Sequence, residues 1–402
     1  MSHFKSGFAL VVSERIWTLA DLAADSWGLR SRCPRGGHAL IESDDPALVA
    51  SSMIVLDGWA RSVHLLSPAT GVGEQGVMPQ PALPSHETDS ELVPTSWLVY
   101  TSGTTGTPKG FGHTLNSLAK AARASQRTRD LRWGLLYQPF RMAGLQVILQ
   151  SMVAGSQLVA PQGASSLIER VRMLKAADVT ALSATPTQWR AILQSGAADG
   201  WGLEQVTLGG EIADQPLLDA LARSFPLARV THVFASTETG AAFAVSDGRA
   251  RFPAGSLSST PSGIGLRIKD GCLEVHQPGA PHAQEDGFVA TGDAVYLSGD
   301  RIYFRGRTTG CANVAGVKVW PEQVELALRE HPDVDDAVVE SRSNPISGEI
   351  LTAKVVLRSG SQSTGGEIRS WMRQSVPTTH VPAVVDVVDS LTVSSSGKVA
   401  RR

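Results

Sequence analysis

The chain has 402 residues, 42% hydrophobic and 18% charged, with a formal net charge of -2. That is a globular composition too long for one ordinary core, so two or three domains are expected. Acidic and basic residues are interleaved, which leaves no basic stripe for a nucleic acid or an anionic membrane, and neither partner is expected.

The first apolar run, Phe8 to Val12, is broken by Glu14 and Arg15, too soon for a signal peptide or a membrane span. Cys33, Cys272 and Cys311 are far apart and odd in number, so they form neither a disulfide framework nor a CxxC metal site, and a cytoplasmic protein is expected. Residues 36 to 68 read as strand, apolar helix and strand, the last from Val63 to Leu66, which is a βαβ unit. A Gly- and Pro-rich stretch from Pro68 to Pro94 leads to the apolar run Trp97 to Tyr100. There the chain enters LVYTSGTTGTPKG, Leu98 to Gly110.

Beyond it the alternation continues, with a helix over Thr114 to Gln126, an apolar segment over Met142 to Val153, a strand over Ser156 to Ala160 and a helix over Ser165 to Ala176. A strand ending near Pro186 follows, then one ending at Gly209 and Gly210. Strands separated by helices predict parallel sheets covered on both faces. From Arg251 to Arg307 short strands and turns predominate, predicting a small β-rich subdomain. Pro321 to Glu330 reads as a helix with proline in its first turn, Ala337 to Val339 and Leu351 to Leu357 as strands, and Gly366 to Ser375 as a helix. The expected fold is therefore α/β: a large domain of parallel α/β sheets plus the β-rich subdomain over residues 1–307, then a small α+β domain over 308–402.

The loop after Leu98 is not a Walker A site. Lys109 follows Pro108, Gly110 stands where a hydroxyl is required, and Pro108 has no N–H to offer. What remains is a run of hydroxyls, Thr101, Ser102, Thr104, Thr105 and Thr107, with Gly103 and Gly106 between them and Lys109 at the end. Hydroxyls, free amides and a cation suit phosphate oxygens, and by composition alone they also suit a flexible linker.

The order of residues is more specific. YTSGTTGTPKG closely resembles the phosphate-binding signature of the adenylate-forming superfamily, which includes acyl- and aryl-CoA synthetases, adenylation domains of peptide synthetases and luciferases. The resemblance implies that Thr101, Ser102, Gly103, Thr104, Thr105 and Lys109 grip the β- and γ-phosphates of ATP. It also implies four further motifs in fixed order, and all four are found between here and Arg402.

HVFASTETG, His232 to Gly240, is similar to the motif in which an aromatic residue stacks near adenine, here Phe234, while Thr237 meets the α-phosphate and Glu238 holds Mg2+. Ala235 stands where glycine is usual. Taken alone, a Thr-Glu pair reads as an ordinary helix cap; a carboxylate beside a triphosphate requires a divalent metal between them. Thr291-Gly292-Asp293 is similar to the family's TGD motif, whose aspartate accepts the ribose hydroxyls, and Arg307 matches the arginine that assists it. A lone Asp after Gly is otherwise a turn residue. Thr309 and Gly310 occupy the region of the family's hinge, where Asp or Lys is common.

VAGVKVWPEQVE, Val314 to Glu325, resembles the segment that enters the active site during thioester formation, with Gly316 allowing the thiol arm to pass. Asn313 replaces a frequent lysine. Lys398, in LTVSSSGKVARR, matches the lysine placed against the α-phosphate and the attacking carboxylate. Without its order and position that cluster would read as a solvated basic tail.

The resemblance implies a stand-alone, AMP-forming acid–thiol ligase. A carboxylate attacks the α-phosphorus of ATP with Mg2+ and Lys398 stabilising charge, pyrophosphate leaves, and the acyl adenylate passes to the thiol of coenzyme A. A discrete carrier protein or a nitrogen nucleophile is the alternative acceptor. The small domain is expected to be mobile, turning between the two half-reactions. The acyl site is expected at Phe140, Arg141, Met142, Gly144, Leu208, Gly209 and Ala235, with catalysis by Lys398, Glu238 and Thr237 and nucleotide contacts from Phe234, Asp293 and Arg307 beside the loop. Phe140-Arg141 stands where amino-acid-activating members have Phe-Asp; a cation there repels an α-ammonium and favours a neutral or acidic acid. The acyl site reads as compact and partly aromatic, so an aromatic or short acid is expected. Ala235, Thr309, Asn313 and a first segment shorter than usual for the family favour one alternative of another class, a nucleotide-binding protein without turnover. A monomer and a homodimer are both compatible with the sequence.

Overall fold

A computed structural model describes residues 4–402 except 69–76, 80–93, 102–108, 165, 237–239, 259–263, 277–282, 345–347, 393–396 and 398–402. The chain forms two compact units. The first comprises Met1–Ala184, Ile192–Gly210 and Leu221–Ser246; the second comprises Thr185–Ala191, Glu211–Ala220 and Asp247–Arg402.

The first unit holds two sheets. In the larger, six parallel strands run in the spatial order Arg229–Ser236, Gln205–Gly209, Ala181–Ala184, Arg132–Gly134, Gln157–Ala160 and Ala9–Val12. Antiparallel strands Gly240–Val245 and Arg15–Thr18 close its two edges. The smaller sheet has His38–Glu42, Ser62–Leu66 and Ser96–Thr101 parallel at its centre, flanked by antiparallel Val77–Pro79 and Lys109–His113. The βαβ unit expected over residues 36–68 is present, joined by the helix Pro46–Val55, every residue of which is buried. Asp45 caps that helix through the Ala47 amide and Pro46 occupies its first turn, so a wholly buried segment still has a defined start. Inside it the Ser51 hydroxyl donates to the Leu22 carbonyl, which keeps a buried polar group satisfied.

Two expectations are corrected here. The helix over Thr114 to Gln126 is broken. A capped turn, Leu115–Ala119, stops at Lys120, and a second one, Gln126–Asp130, starts from Ser125. Between them the Gln150 side chain accepts from the Arg123 amide and donates to its carbonyl, at 2.9 and 2.8 Å, so tertiary partners replace the helical ones. The short strand over Ala337 to Val339 is in fact Val334–Asn344, an eleven-residue arm paired with Gly348–Leu357.

In the second unit, strands Phe252–Pro253, Leu266–Lys269, Cys272–His276, Phe288–Ser298 and Arg301–Arg307 form the expected small antiparallel sheet. The C-terminal residues form another sheet, with Val317–Val319, Ala312–Val314, Gly348–Leu357 and Val334–Asn344 antiparallel in that order and Val384–Val387 parallel to Gly348–Leu357. Val324 and Leu328 of helix Pro321–Arg329, with Ile368 and Met372 of helix Gly365–Ser375, pack on Val339, Ala353 and Val355 to make a core of their own. No helix among the described residues is long and apolar enough to cross a membrane.

Candidate adenylate-forming site

The strands on either side of the hydroxyl-rich stretch pair with each other. Strand Ser96–Thr101 returns antiparallel as Lys109–His113, with Thr101 opposite Lys109, so residues 102–108 are bracketed by paired backbone. Ser102, Gly103, Thr104 and Thr105 lie outside the described residues, as does the side chain of Thr101; Lys109 is exposed at the first position of the returning strand. Tyr100 fixes this strand pair. Its ring lies over Gly110, where an added Cβ would come within 2.8 Å, and its hydroxyl is 2.7 Å from His64 Nδ1. The chain of hydrogen bonds continues through Ser62 to His38. Burial, with a lesser contribution from His38, pushes the His64 pKa down, and burial pushes that of Tyr100 up; both groups are neutral at pH 7.

In HVFASTETG the strands flanking Thr237-Glu238 pair as well. Strand Arg229–Ser236 returns as Gly240–Val245 with Ser236 opposite Gly240. The register shifts between Phe234 and Ala235, a bulge of the kind that re-aims side chains beside functional sites. Phe234 is half-buried and stacks on Phe243 at 5.4 Å. Thr237 and Glu238 lie outside the described residues. Helix Leu115–Ala119, which follows strand Lys109–His113, contacts strand Gly240–Val245.

The TGD turn belongs to the second unit and is fully described. Thr291 is buried and donates to the Leu273 carbonyl at 2.9 Å, and its oxygen accepts from the Asp293 amide at 3.2 Å. Gly292 has φ +74°, and a Cβ there would be 3.3 Å from the Arg307 guanidinium. Asp293 and Arg307 are register partners; Nη1 donates to the Thr291 carbonyl at 2.8 Å and reaches Asp293 Oδ1 at 3.4 Å. Arg307 thus holds the turn's main chain more closely than its carboxylate. Thr309 and Gly310, in the region of the family's hinge, belong to a single 3-10 turn, Thr308–Gly310, and the Thr308 hydroxyl donates to the Gly292 carbonyl.

Gly316 and Ala315, at φ +85° and +50°, form the two-residue tip between Ala312–Val314 and Val317–Val319. Two positive φ values in a row are what a tight hairpin requires, and nothing lies within 4 Å of a Cβ added at Gly316. Lys398 lies outside the described residues; its neighbour Gly397 is described, and its carbonyl accepts from the Thr185 hydroxyl.

The expected acyl-site residues divide into two groups. Phe140, Met142, Gly144 and Leu208 are buried, and the Gly144 position is pressed against backbone, a Cβ there coming 2.1 Å from the Gln138 carbonyl. Arg141, Gly209 and Ala235 are partly exposed, and nothing lies within 4 Å of a Cβ at Gly209. Arg141 starts the helix Met142–Ala154, its Nε donates to Gln138 Oε1 at 3.1 Å, and burial lowers its pKa. Among the described residues no carboxylate pairs with it.

The sequence reading misses a buried ion cluster and a helix cap. Arg190 pairs with Asp214, and Arg329 pairs with Asp336 at 2.8 Å, all four nearly buried. Nothing in the spacing of these residues marks them. Thr185-Pro186-Thr187-Gln188, by contrast, carries the Thr-x-x-Gln signature of a capping box, which was available in the sequence.

A family model for AMP-binding enzymes matches residues 36–281, and a model for the AMP-binding enzyme C-terminal domain matches residues 323–398. The chain belongs to the AMP-binding enzyme family. Among curated relatives of this AMP-binding enzyme, a fatty acid–acyl-carrier-protein ligase, ScoC of Streptomyces coeruleorubidus, is 27% identical over 342 residues, 76% of this chain and 66% of that protein. A 2-succinylbenzoate–CoA ligase of Bacillus velezensis is 27% identical over 380 residues, 88% of this chain and 77% of its own. Among solved structures, an anthranilate CoA ligase, AuaEII, in complex with anthranoyl-AMP has a TM-score of 0.74 at 18% identity, covering 97% of this chain and 92% of that one. The amide bond synthetase McbA of Marinactinospora thermotolerans gives 0.70 at 18%, covering 97% and 95%.

The built TGD turn carries a prediction. Asp293→Ala weakens Mg-ATP binding about 10- to 100-fold, the worth of charge-assisted hydrogen bonds to two hydroxyls, and leaves the melting temperature nearly unchanged. Calorimetric titration with ATP and with 2′,3′-dideoxy-ATP checks it: an equal loss for both nucleotides rules out the ribose role.

Proposed function

We propose that this AMP-binding enzyme activates a small carboxylic acid, aromatic or short and carrying a second anionic group, and transfers it to the thiol of coenzyme A. The observation that supports the substrate class is Arg141, a half-buried cation at the start of the helix that opens the acyl region, restrained by Gln138 and paired with no described carboxylate. A desolvated guanidinium favours a carboxylate and disfavours an ammonium, so an α-amino acid is a poor fit and a dicarboxylic acid a good one. The relatives named as acting on 2-succinylbenzoate are in keeping with this.

In this reading the hydroxyl-rich stretch ending at Lys109 receives the β- and γ-phosphates, Phe234 lies along adenine, Thr237 meets the α-phosphate, and Asp293, braced by Arg307, accepts from the ribose. Glu238 is the carboxylate that would hold magnesium, in keeping with that ion's habit of taking one or two carboxylates plus substrate phosphates; bound there, it neutralises charge on the triphosphate. Lys398 offsets the negative charge that develops as the carboxylate attacks and pyrophosphate departs. The hairpin tipped by Gly316 then admits the thiol, with the pivot at Thr308–Gly310.

The test is acid-dependent ATP–pyrophosphate exchange over benzoate, anthranilate, 2-succinylbenzoate, butyrate and octanoate. Exchange is expected with 2-succinylbenzoate above benzoate, and Arg141→Gln should reduce that preference about 10-fold or more, the worth of one charge-assisted pair. ATP binding without exchange for any acid would establish a nucleotide-binding protein without turnover. Coupling the best acid to coenzyme A and to a phosphopantetheinylated carrier protein decides the acceptor.

A further inference from the structure

Thr185 follows the strand Ala181–Ala184 and caps the helix Pro186–Gln194. The cap is reciprocal: the Thr185 amide donates to Gln188 Oε1 at 3.0 Å and the Gln188 amide donates to Thr185 Oγ1 at 3.1 Å. An accepting oxygen is all that a cap requires. The hydroxyl hydrogen is left over, and here it is donated to the Gly397 carbonyl at 2.5 Å, 212 residues further along the chain. Both Thr185 and Gln188 are buried, at 1% and 5% exposure, so water does not compete for this bond.

Gly397 suits the contact twice over. Its φ is +76°, and a Cβ would stand 2.5 Å from Gln188 Nε2 and 2.6 Å from Cδ. Only a residue without a side chain can take this backbone conformation and lie this close to Gln188. The next residue is Lys398. Arg190, just along the same helix, pairs with Asp214 and lies in the field of Asp335 and Asp336 on strand Val334–Asn344. Residues 185–191 and the C-terminal residues belong to one compact unit.

The geometry points to Thr185 and Gln188 as positioning residues for adenylation: they receive the Gly397 backbone and thereby hold the adjoining Lys398 for the first half-reaction. The inference rests on the reading of Lys398 as the adenylation lysine. A cap alone would be served equally by Ser, Asn or Asp; the donated hydrogen is what separates docking from capping.

Three variants test it. Thr185→Ser keeps both roles, Thr185→Asp keeps the cap but sets a carboxylate against the Gly397 carbonyl, and Lys398→Ala leaves the contact and removes the amine. The first readout needs only the chain and Mg-ATP: amide hydrogen exchange of the peptide 390–402. Thr185→Asp buries a carboxylate and lowers the melting temperature, but it is expected to speed exchange of that peptide about 10-fold or more beyond any change in helix Pro321–Arg329, while Thr185→Ser matches the unsubstituted chain. The second compares acid-dependent pyrophosphate exchange with thioester formation from supplied acyl adenylate, using the best acid of the panel. Thr185→Asp should lose about 10-fold in the first and stay within about twofold in the second. Unaltered protection of 390–402 in Thr185→Asp, or equal loss in the two half-reactions, overturns the proposal. If Lys398→Ala fails to separate the halves, the role of Lys398 falls instead, and the hydrogen-exchange result still judges the contact.

Discussion

With Lys398 as the proposed adenylation lysine, Lys398→Ala is expected to lower acid-dependent ATP–pyrophosphate exchange by about 100- to 1,000-fold, the effect of removing one preorganised charge from a developing anion. The attacking carboxylate and the α-phosphate are both negative, and a cation between them lowers the barrier more than it tightens either ground state. Thioester formation from supplied acyl adenylate needs no such cation, so that step is expected to keep most of its rate. Pyrophosphate exchange and single-turnover thioester assays on the same preparation make the comparison. Equal loss in the two would contradict a lysine that serves only one half-reaction.

Arg329→Met destabilises the chain by about 3–5 kcal/mol, the cost of leaving buried carboxylates without their counter-charge. Arg329 Nε donates to Asp336 at 2.8 Å, Nη2 donates to the Ala337 carbonyl at 2.7 Å, and Glu325 lies 4.0 Å away while accepting from the Val339 amide. Burial opposes the Arg329 charge, but Asp336, Glu325 and Asp214 outweigh it and hold its pKa above the usual arginine value. Methionine fills the space and leaves Asp336 and Glu325 buried without that partner.

Burial alone would raise the Asp336 pKa, and Arg329 with Arg190 instead holds it below the usual carboxylate value. Its contribution to stability is therefore fully present above the unfolded pKa of about 4 and is lost as pH falls through the folded value. In Arg329→Met the main depressing charge is gone, so acidification costs the variant less than it costs the unsubstituted chain. Melting temperatures of the two should converge between pH 7 and pH 4; a constant gap would show that the loss is one of packing and not of charge.

The alternation of apolar runs and turns determined much of this protein locally. The βαβ unit at 36–68, the parallel strands at 157–160, 181–184 and 205–209, and the antiparallel sheet up to Arg307 all follow from period and punctuation, since each buries its own apolar face. The ordered motifs determined the family as well, because hydroxyls, glycines and a terminal cation in that order serve few chemistries. Partners distant in sequence decided the rest. The edge strands Lys109–His113 and Gly240–Val245 bracket both nucleotide motifs with paired backbone, and their ladders form only against strands already in place. Gln150 breaks the helix expected after Thr114 by taking over the Arg123 backbone. Asp336 beside Arg329, and Thr185 beneath Gly397, carry no periodicity at all; they meet because the chain folds back on itself, and only then do burial and low dielectric give those charges and that hydroxyl their weight.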